Sequence, residues 1–375
     1  MTINRKELFY ILACFIWISP FFLPNKYMVL IRCALVLMVV LTQNIKSNVL
    51  LCFAIAYTGM TALSTALFDP GAKNLVNTIA IMSVFWGSAV CASNPASLKT
   101  MPEGIFKGFL LYFLIDSFFI FVTNGIGTNA NGQPIYFSGG KFNVCYMYLL
   151  LMVLTFLRYK HIRLLHQLLM VLFGMILALR VDCSTGLLAI VAFWGISLLP
   201  NWLKQGKKKY IWLIGTIWIH YLIVFAQIQS NNPLLRYIIT EILHRDINLT
   251  GRVYIYNNFD VIMQNHWLLG YGYTSDRIVE VTKLANTQNG FLQAIYVGGI
   301  VLLVILILLM FYMISRILKI ENMREQNILF SALVAFWVIA IVEIPFTSSV
   351  FLLIFYNLFF SAQFLVRASY FAFNQ

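Results

Sequence analysis

Residues 291–315 read FLQAIYVGGIVLLVILILLMFYMIS and contain no charged side chain. About 20 apolar residues in a helix span the hydrocarbon core of a bilayer, which is roughly 30 Å thick. This run therefore predicts a transmembrane helix. It emerges from residues 242–299, the one long polar interruption of an otherwise apolar chain, and that polar stretch is where we expect any chemistry.

The composition places the whole chain among polytopic membrane proteins. Of its 375 residues, 61% are hydrophobic and 10% are charged, whereas about a quarter of residues are charged in soluble domains. Apolar runs predict about twelve transmembrane helices and an all-α fold in a single membrane domain, residues 1–375. The runs cover residues 8–23, 27–41, 49–67, 75–92, 105–122, 144–157, 164–181, 186–199, 210–228, 291–315, 328–344 and 350–366.

The positions of the basic residues predict the orientation. Sixteen of the 26 Lys and Arg residues fall on one side, in alternate connections and at both termini. Cytoplasmic loops carry an excess of Lys and Arg, so this side and both termini are predicted to be cytoplasmic. The net charge of +13 is thus explained by topology. Since the basic residues form no continuous surface, we exclude binding to nucleic acid.

Charged residues on the other side are not required by topology, and charge near a membrane is costly unless it is paired or used. Four such residues are predicted in or at the outer halves of helices: Arg32, Asp116, Arg180 and Glu343. Their positions predict a charged cavity that opens to the outer side.

Two outer connections are longer than a turn. Residues 123–143 are rich in Gly and Asn and include Lys141, which predicts a flexible loop able to order over a ligand. Residues 229–290 form a large outer loop in which we expect short helices at the membrane interface. One of these is predicted to be capped by Thr250 and to continue through Asn265, with Tyr256 on its apolar side.

An ordered set of motifs lies in and after the large loop. Thr250-Gly251-Arg252 comes first, then Leu268-Leu269-Gly270-Tyr271-Gly272, then Asn289-Gly290-Phe291-Leu292-Gln293, and finally Gly298-Gly299. Over roughly the last third of the chain, this set resembles the bacterial O-antigen polymerase (Wzy) and O-antigen ligase superfamily. Where that pattern often has His before the Asn, this chain has Gln288, which cannot act as a general base.

The resemblance implies a glycosyltransferase of the bacterial inner membrane whose large loop is periplasmic. It implies that a glycan moves from undecaprenyl diphosphate to the non-reducing-end sugar of another undecaprenyl-diphosphate-linked repeat unit. Membrane lipids and a chain-length regulator protein are further candidate partners. This reaction needs cations for the diphosphate leaving group and a base for the acceptor hydroxyl. Because carboxylates are not clustered in the sequence, we expect no divalent metal and no other cofactor.

The candidate site residues meet these needs. For diphosphate binding they are Arg252, Arg180 and Arg32; for catalysis, His266, Asp260 and Glu343; and for other substrate contacts, Lys141, Asn289 and Tyr256.

Several of these residues also have a purely structural interpretation. Arg252 could cap a helix at the lipid headgroups, and Arg180 could pair with a neighbouring acid. His266 could stack on interfacial aromatic rings. Gly270 and Gly272 could form a tight turn instead of offering amides to a phosphate.

Two other functions fit parts of the pattern. An O-antigen ligase shares the donor but transfers the glycan to lipid A core, and Gln288 in place of His favours the polymerase. A non-catalytic flippase for lipid-linked oligosaccharide would line both halves of its cavity with polar groups, whereas the intramembrane charges here are predicted in the outer halves.

Overall fold

The computed structural model describes residues 49–345 except for 94, 129–131, 160–161, 227–231, 238–239 and 242–251, together with residues 8–9, 11–12, 30–31, 33–34 and 37. Its helices are α1 (Val49–Phe68), α2 (Ala72–Ser93), α3 (Pro95–Phe118), α4 (Lys141–Arg158), α5 (Leu164–Arg180), α6 (Ser184–Leu198), α7 (Asn201–Lys204), α8 (Lys208–Val224), α9 (Pro233–Tyr237), α10 (Arg252–Asn257), α11 (Phe259–Met263), α12 (Arg277–Thr282), α13 (Gly290–Ile317) and α14 (Met323–Val342). A π-helical turn, Phe119–Thr123, extends α3.

Five helices of the described residues are long and apolar enough to cross a membrane. They are α1, the segment Glu103–Thr123 of α3 and its extension, α4, α13 and α14. Helices α5 and α6 are apolar but shorter. The described residues are mostly helical and agree with the predicted all-α membrane fold, but the count of about twelve spans is not confirmed. The predicted run 350–366 and most of the runs 8–23 and 27–41 lie outside the described residues.

Helix α14 is the centre of the bundle. It packs against α4, α6, α8 and α13, and every side chain in residues 325–337 is buried. A helix that is apolar on all sides is expected to be enclosed by neighbours. Because lipid tails are as apolar as the side chains, close packing has to hold these helices together.

Helix α13 is broken at its Gly298-Gly299 pair. Gly299 has φ 69° and ψ −169°, a region that only glycine occupies without strain. The helical hydrogen bonds that would cross this point are interrupted. In a membrane protein the freed amides and carbonyls need other partners inside the protein, because lipid offers none.

The large loop, predicted to be on the outer side, supplies donors to the first half of α13. Tyr271 N donates to Tyr296 O at 2.7 Å, and Gly272 N donates to Val297 O at 3.0 Å. In a continuous helix these two carbonyls would accept from the amides four residues further on. The loop therefore takes the place of the interrupted turn.

The same loop supplies acceptors to the second half of α13. Ile300 N donates to Trp267 O at 2.8 Å, and Val301 N approaches Leu268 O at 3.5 Å. Both amides would otherwise have bonded to the preceding turn of the helix. Residues 267–272 thus satisfy both sides of the break.

Two glycines allow this close approach. A Cβ atom on Gly299 would lie 2.0 Å from Leu268 O, and one on Gly270 would lie 2.6 Å from Tyr296 O. Gly270 also has a positive φ of 69°. The glycines of the LLGYG and Gly-Gly motifs are therefore required by backbone packing.

The segment that begins at Arg252 differs from the predicted single helix. It forms two short helices, α10 and α11, separated at Asn258. The Asn258 side chain donates to Tyr254 O at 2.8 Å, and such a bond competes with helix continuation. Thr250, the predicted cap, lies outside the described residues.

The other outer connection is built as an anchored turn. Strand β1 (Gly127–Thr128) pairs with β2 (Pro134–Ile135) in antiparallel fashion, and Tyr136 bridges to Gly139. Ser138 N donates to the buried Asp116 carboxylate at 3.1 Å. The predicted outer-half carboxylate of α3 thus fixes this part of the loop instead of facing an open cavity.

The charged residues separate towards two ends of the bundle. What we call the basic end carries Arg158, Lys204, Lys209 and Arg324, all predicted to be cytoplasmic. Lys204 Nζ lies 3.0 and 2.8 Å from two carbonyl oxygens at the end of α6. Arg324 Nη2 lies 2.8 Å from each of two carbonyl oxygens at the end of α4. Cations are favoured at helix C-termini; which end faces the cytoplasm stays a prediction.

Replacing Gly299 by Ala should destabilise the fold, because the added Cβ would overlap Leu268 O and the conformation alone costs about 1–3 kcal/mol for a residue with a side chain. Thermal unfolding of the purified protein in detergent would measure the loss. The matched control is Gly195→Ala in α6, where an added Cβ meets nothing within 4 Å. Equal midpoints for the two variants would contradict this account of the break.

Candidate functional site

Arg252 begins α10 and reaches the C-terminal end of α14. Its Nη2 donates to Val342 O at 2.8 Å and lies 3.6 Å from Glu343 Oε1. The last carbonyls of a helix have no partners within the helix and favour a cation. Each side chain of the ion pair is 16% exposed, so the pair is shielded from bulk solvent without being sealed.

Arg252 keeps hydrogen-bond donors that these contacts do not use. Its Nε is buried and has no hydrogen-bond partner among the described residues. A guanidinium carries five N–H donors in a rigid fork that suits phosphate and carboxylate groups. Arg252, which is predicted to bind an anion, is thus held in place through Nη2. Among the described residues its Nε has no partner.

Glu343 follows α14 as its C-terminal cap. Burial raises the pKa of Glu343 to about 7, while the nearby Arg252 and Lys141 act to lower it. The cause is desolvation, which disfavours the charged form of a carboxyl group. A general base works best when its pKa lies near the working pH, so Glu343 has the acidity that this role requires.

Asn289 connects α13 to two other helices. Its Oδ1 accepts from the amides of Phe291 and Leu292 at 3.1 Å each, which caps α13. Its Nδ2 donates to Ile341 O at 3.0 Å and lies 3.1 Å from His220 Nδ1. Since both polar atoms of the amide are used, Asn289 positions the first turn of α13 against α14.

Tyr256 lies one turn after Arg252 and is buried. Burial raises the pKa of its hydroxyl to about 12, against the lowering effects of Arg252 and then Asn289, while Glu343 raises it further. The Tyr256 hydroxyl is thus within electrostatic reach of all three side chains, and it has no hydrogen-bond partner among the described residues. It stays protonated at neutral pH and can act as a hydrogen-bond donor.

Lys141 and Arg180 lie at the same end of the bundle. Lys141 begins α4, acts on the pKa of Glu343, and has its Nζ 3.3 Å from Asp182 Oδ2. Arg180 ends α5, is exposed, and is close enough to lower the pKa of Tyr136, which burial raises. Both predicted cations are therefore at the expected end, with Lys141 nearer to Glu343.

We call Arg252, Tyr256, Lys141, Asn289 and Glu343 the Arg252 cluster. Its members come from α10, from the N-terminal ends of α4 and α13, and from the C-terminal end of α14. The cluster combines a partly free guanidinium, a carboxyl group with a near-neutral pKa and a buried hydroxyl. It can bind an anion and accept a proton at neighbouring positions.

The other candidate bases lie apart from this cluster. The His266 ring stacks on Tyr271 at 4.2 Å and meets the edge of Phe68 at 4.7 Å, which matches its structural interpretation. Asp260 is exposed on α11, and the carboxylate paired with Arg252 is that of Glu343. Arg32 lies outside the described residues.

The backbone amides of the LLGYG motif are already used. Gly270 N donates to His266 O at 2.7 Å, and Gly272 N donates to Val297 O at 3.0 Å. The tight-turn interpretation of these glycines therefore agrees with the structure, and neither amide is free to bind a phosphate.

Two residues near the cluster were not among the sequence candidates. His220 of α8 contacts Asn289 and the Phe291 ring, the latter at 4.1 Å. Tyr146 of α4 lies within electrostatic reach of Glu343 and Arg252. Both belong to apolar helices, and no motif marks either of them in the sequence.

Within the described residues, no group of three or more His, Cys, Asp or Glu side chains is arranged to hold a metal ion. No protein-family model matches the chain, and no curated protein is similar enough to it to count as a relative.

Replacing Arg252 by Ala should raise the pKa of Glu343 further, because it removes the positive charge that lowers this pKa most. Infrared spectroscopy would follow the protonated carboxyl band, assigned by its loss in Glu343→Gln. Near neutral pH the band should grow in Arg252→Ala. It should not change in Arg277→Gln, whose guanidinium pairs with Glu280 at 3.5 Å. An unchanged band in Arg252→Ala would show that the two groups do not interact.

Proposed function

We propose that this protein is an O-antigen polymerase, a glycosyltransferase that uses an undecaprenyl-diphosphate-linked glycan as donor. The observation that carries the proposal is the pairing of Arg252 with Glu343 at the end of the most enclosed helix. One partner suits the diphosphate and the other suits the acceptor hydroxyl, so the pair provides the two functions that the reaction needs.

We assign the binding of the donor diphosphate to Arg252. When the bond between the anomeric carbon and the diphosphate oxygen breaks, its electron pair and negative charge pass to the diphosphate. Fixed cations aimed at that oxygen stabilise this charge. Arg252 is held by Val342 O and keeps further donors, and Lys141 supplies a second positive charge near Glu343.

We assign the deprotonation of the acceptor hydroxyl to Glu343. The hydroxyl oxygen of the non-reducing-end sugar forms the new bond to the anomeric carbon, and its proton passes to the Glu343 carboxylate. Substrate phosphates attract Arg252, so its contact with Glu343, at 3.6 Å, can be exchanged for contacts to the diphosphate. The products are a longer carrier-linked glycan and undecaprenyl diphosphate.

Glu343 takes the role of base for reasons of geometry. It is the carboxylate next to Arg252, whereas Asp260 is exposed and His266 packs against two aromatic rings. Gln288 cannot take a proton from the acceptor. Lys141 and Arg180 are proposed to contact other anionic groups of the two carrier-linked substrates.

Incubation of the purified protein with a carrier-linked repeat unit alone should give a ladder of longer carrier-linked products. Arg252→Ala should lower the rate by about 10²–10³-fold, the usual effect of removing a donor that stabilises developing charge. Arg252→Lys, which keeps the charge but loses the fork, should recover only part of the rate. Arg277→Gln, another arginine of the same loop, should retain full activity.

Two outcomes would contradict the polymerase proposal. The first is the absence of a ladder from folded protein, with transfer appearing only when lipid A core is supplied, which would indicate a ligase. The second is full activity of Arg252→Ala with an unchanged thermal midpoint, which would remove Arg252 from the site.

The rate should rise with pH and reach half its maximum near the Glu343 pKa of about 7. The sign follows because the carboxyl group must be ionised to accept the proton, and ionisation increases as pH passes the raised pKa. Glu343→Gln should lower the rate by about 10²–10⁴-fold, the usual contribution of a general base, and should remove this rise. A rise that persists in Glu343→Gln would assign it to another group.

A further inference from the structure

A cavity of about 470 Å³ lies at the basic end of the bundle, far along α14 from the Arg252 cluster. It is bounded by the ends of α4 and α6, by α5 and by the first turns of α14. Its polar lining residues are Gln167, Ser197, Asn201, Arg324 and Asn327, and the remaining ones are apolar or aromatic.

Asn327 has a polar atom without a hydrogen-bond partner among the described residues. Its side chain is buried, with 7% of the residue exposed. Its Nδ2 donates to Asn201 Oδ1 at 2.8 Å, but its Oδ1 accepts no hydrogen bond from the described residues. A buried acceptor without a donor is unfavourable. The cavity thus has a position suited to a ligand that donates a hydrogen bond.

Arg324 provides a fixed cation in the same cavity. Its Nη2 donates to Phe156 O and Tyr159 O, which holds the guanidinium at the end of α4. No other hydrogen bond from this guanidinium reaches a described residue, so further N–H donors face the ligand space. Phosphate oxygens are the acceptors that such a fork binds best.

The charge around the cavity favours an anion. Besides Arg324, the basic end carries three further cations, Arg158, Lys204 and Lys209. Two acids lie nearby: Glu103, which is paired with Arg158 at 2.7 Å, and Glu325, which interacts electrostatically with Arg324. The cations outnumber them. A ligand with a net negative charge is therefore favoured over a zwitterionic one.

The exposed surface of the bundle beside the cavity is apolar. Helix α5, which contributes Gln167 to the lining, exposes Leu164, Leu165 and Leu169. Exposed leucines on a membrane-spanning bundle face acyl chains. A ligand whose polar group enters the cavity can therefore keep its hydrocarbon chains along α5.

We propose that this cavity binds the headgroup of an anionic phospholipid that carries hydroxyl groups. The phosphodiester accepts from Arg324, and a headgroup hydroxyl donates to Asn327 Oδ1. A soluble glycerol phosphate shares this chemistry but lacks the chains that α5 can accommodate, so a lipid is the expected occupant.

Native mass spectrometry and thermal unfolding of the delipidated protein would test the site with three probes: phosphatidylglycerol, phosphatidylcholine and sn-glycerol 3-phosphate. Phosphatidylglycerol should bind and raise the unfolding midpoint, and the other two should not. Asn327→Leu and Arg324→Gln should each weaken phosphatidylglycerol binding by about tenfold or more, the effect of losing one charge-assisted or buried hydrogen bond. Lys319→Gln, which is exposed at the same end outside the cavity, should bind normally.

Three results would overturn the proposal. Equal binding of phosphatidylglycerol and phosphatidylcholine would remove the preference for an anion. Stabilisation by glycerol phosphate as strong as that by the lipid would assign the site to a soluble phosphate ester. Normal lipid binding by folded Asn327→Leu and Arg324→Gln would place any bound lipid elsewhere on the protein.

Discussion

The exchange of hydrogen bonds at the Gly298-Gly299 break is the constraint on which the end of the bundle around the Arg252 cluster depends. Backbone groups freed inside a membrane protein have no water to bind, so a broken helix is stable only if other protein groups take over. Residues 267–272 give α13 two donors and two acceptors. The bonds that complete α13 also fix the outer loop against the bundle, and they require glycine where the two backbones meet.

This arrangement positions the Arg252 cluster from two directions. The first half of α13 is buried and begins at Asn289, which donates to Ile341 O in the last turn of α14. Arg252 donates to the next carbonyl, that of Val342. The end of α14 is therefore held by the start of α13 and by the start of α10. Glu343 is the next residue after the two bonded carbonyls. The burial that results raises the pKa of Glu343, so packing and acidity have one cause.

The sequence predicts the parts of this site better than their arrangement. Apolar runs are visible because lipid requires both length and apolarity, and Arg252 and Glu343 stand out because topology does not require charge at those positions. Their pairing depends on tertiary packing, which spacing does not encode. The single helix predicted after Arg252 is interrupted because Asn258 bonds to the backbone. The sequence does not identify His220 as a residue near the site, because no pattern in its apolar helix indicates which side contacts Asn289.

Cations bind the carbonyls of helix C-termini at both ends of the bundle. Lys204 and Arg324 bind carbonyls at the ends of α6 and α4, at the end of the bundle that is predicted to be cytoplasmic and therefore rich in basic residues. Arg252 also binds a helix-terminal carbonyl, but topology does not require a cation at that end. A neutral donor would cap Val342 at lower desolvation cost, so capping alone does not account for a cation at this position. The anionic ligand that we propose beside Glu343 would account for this charge.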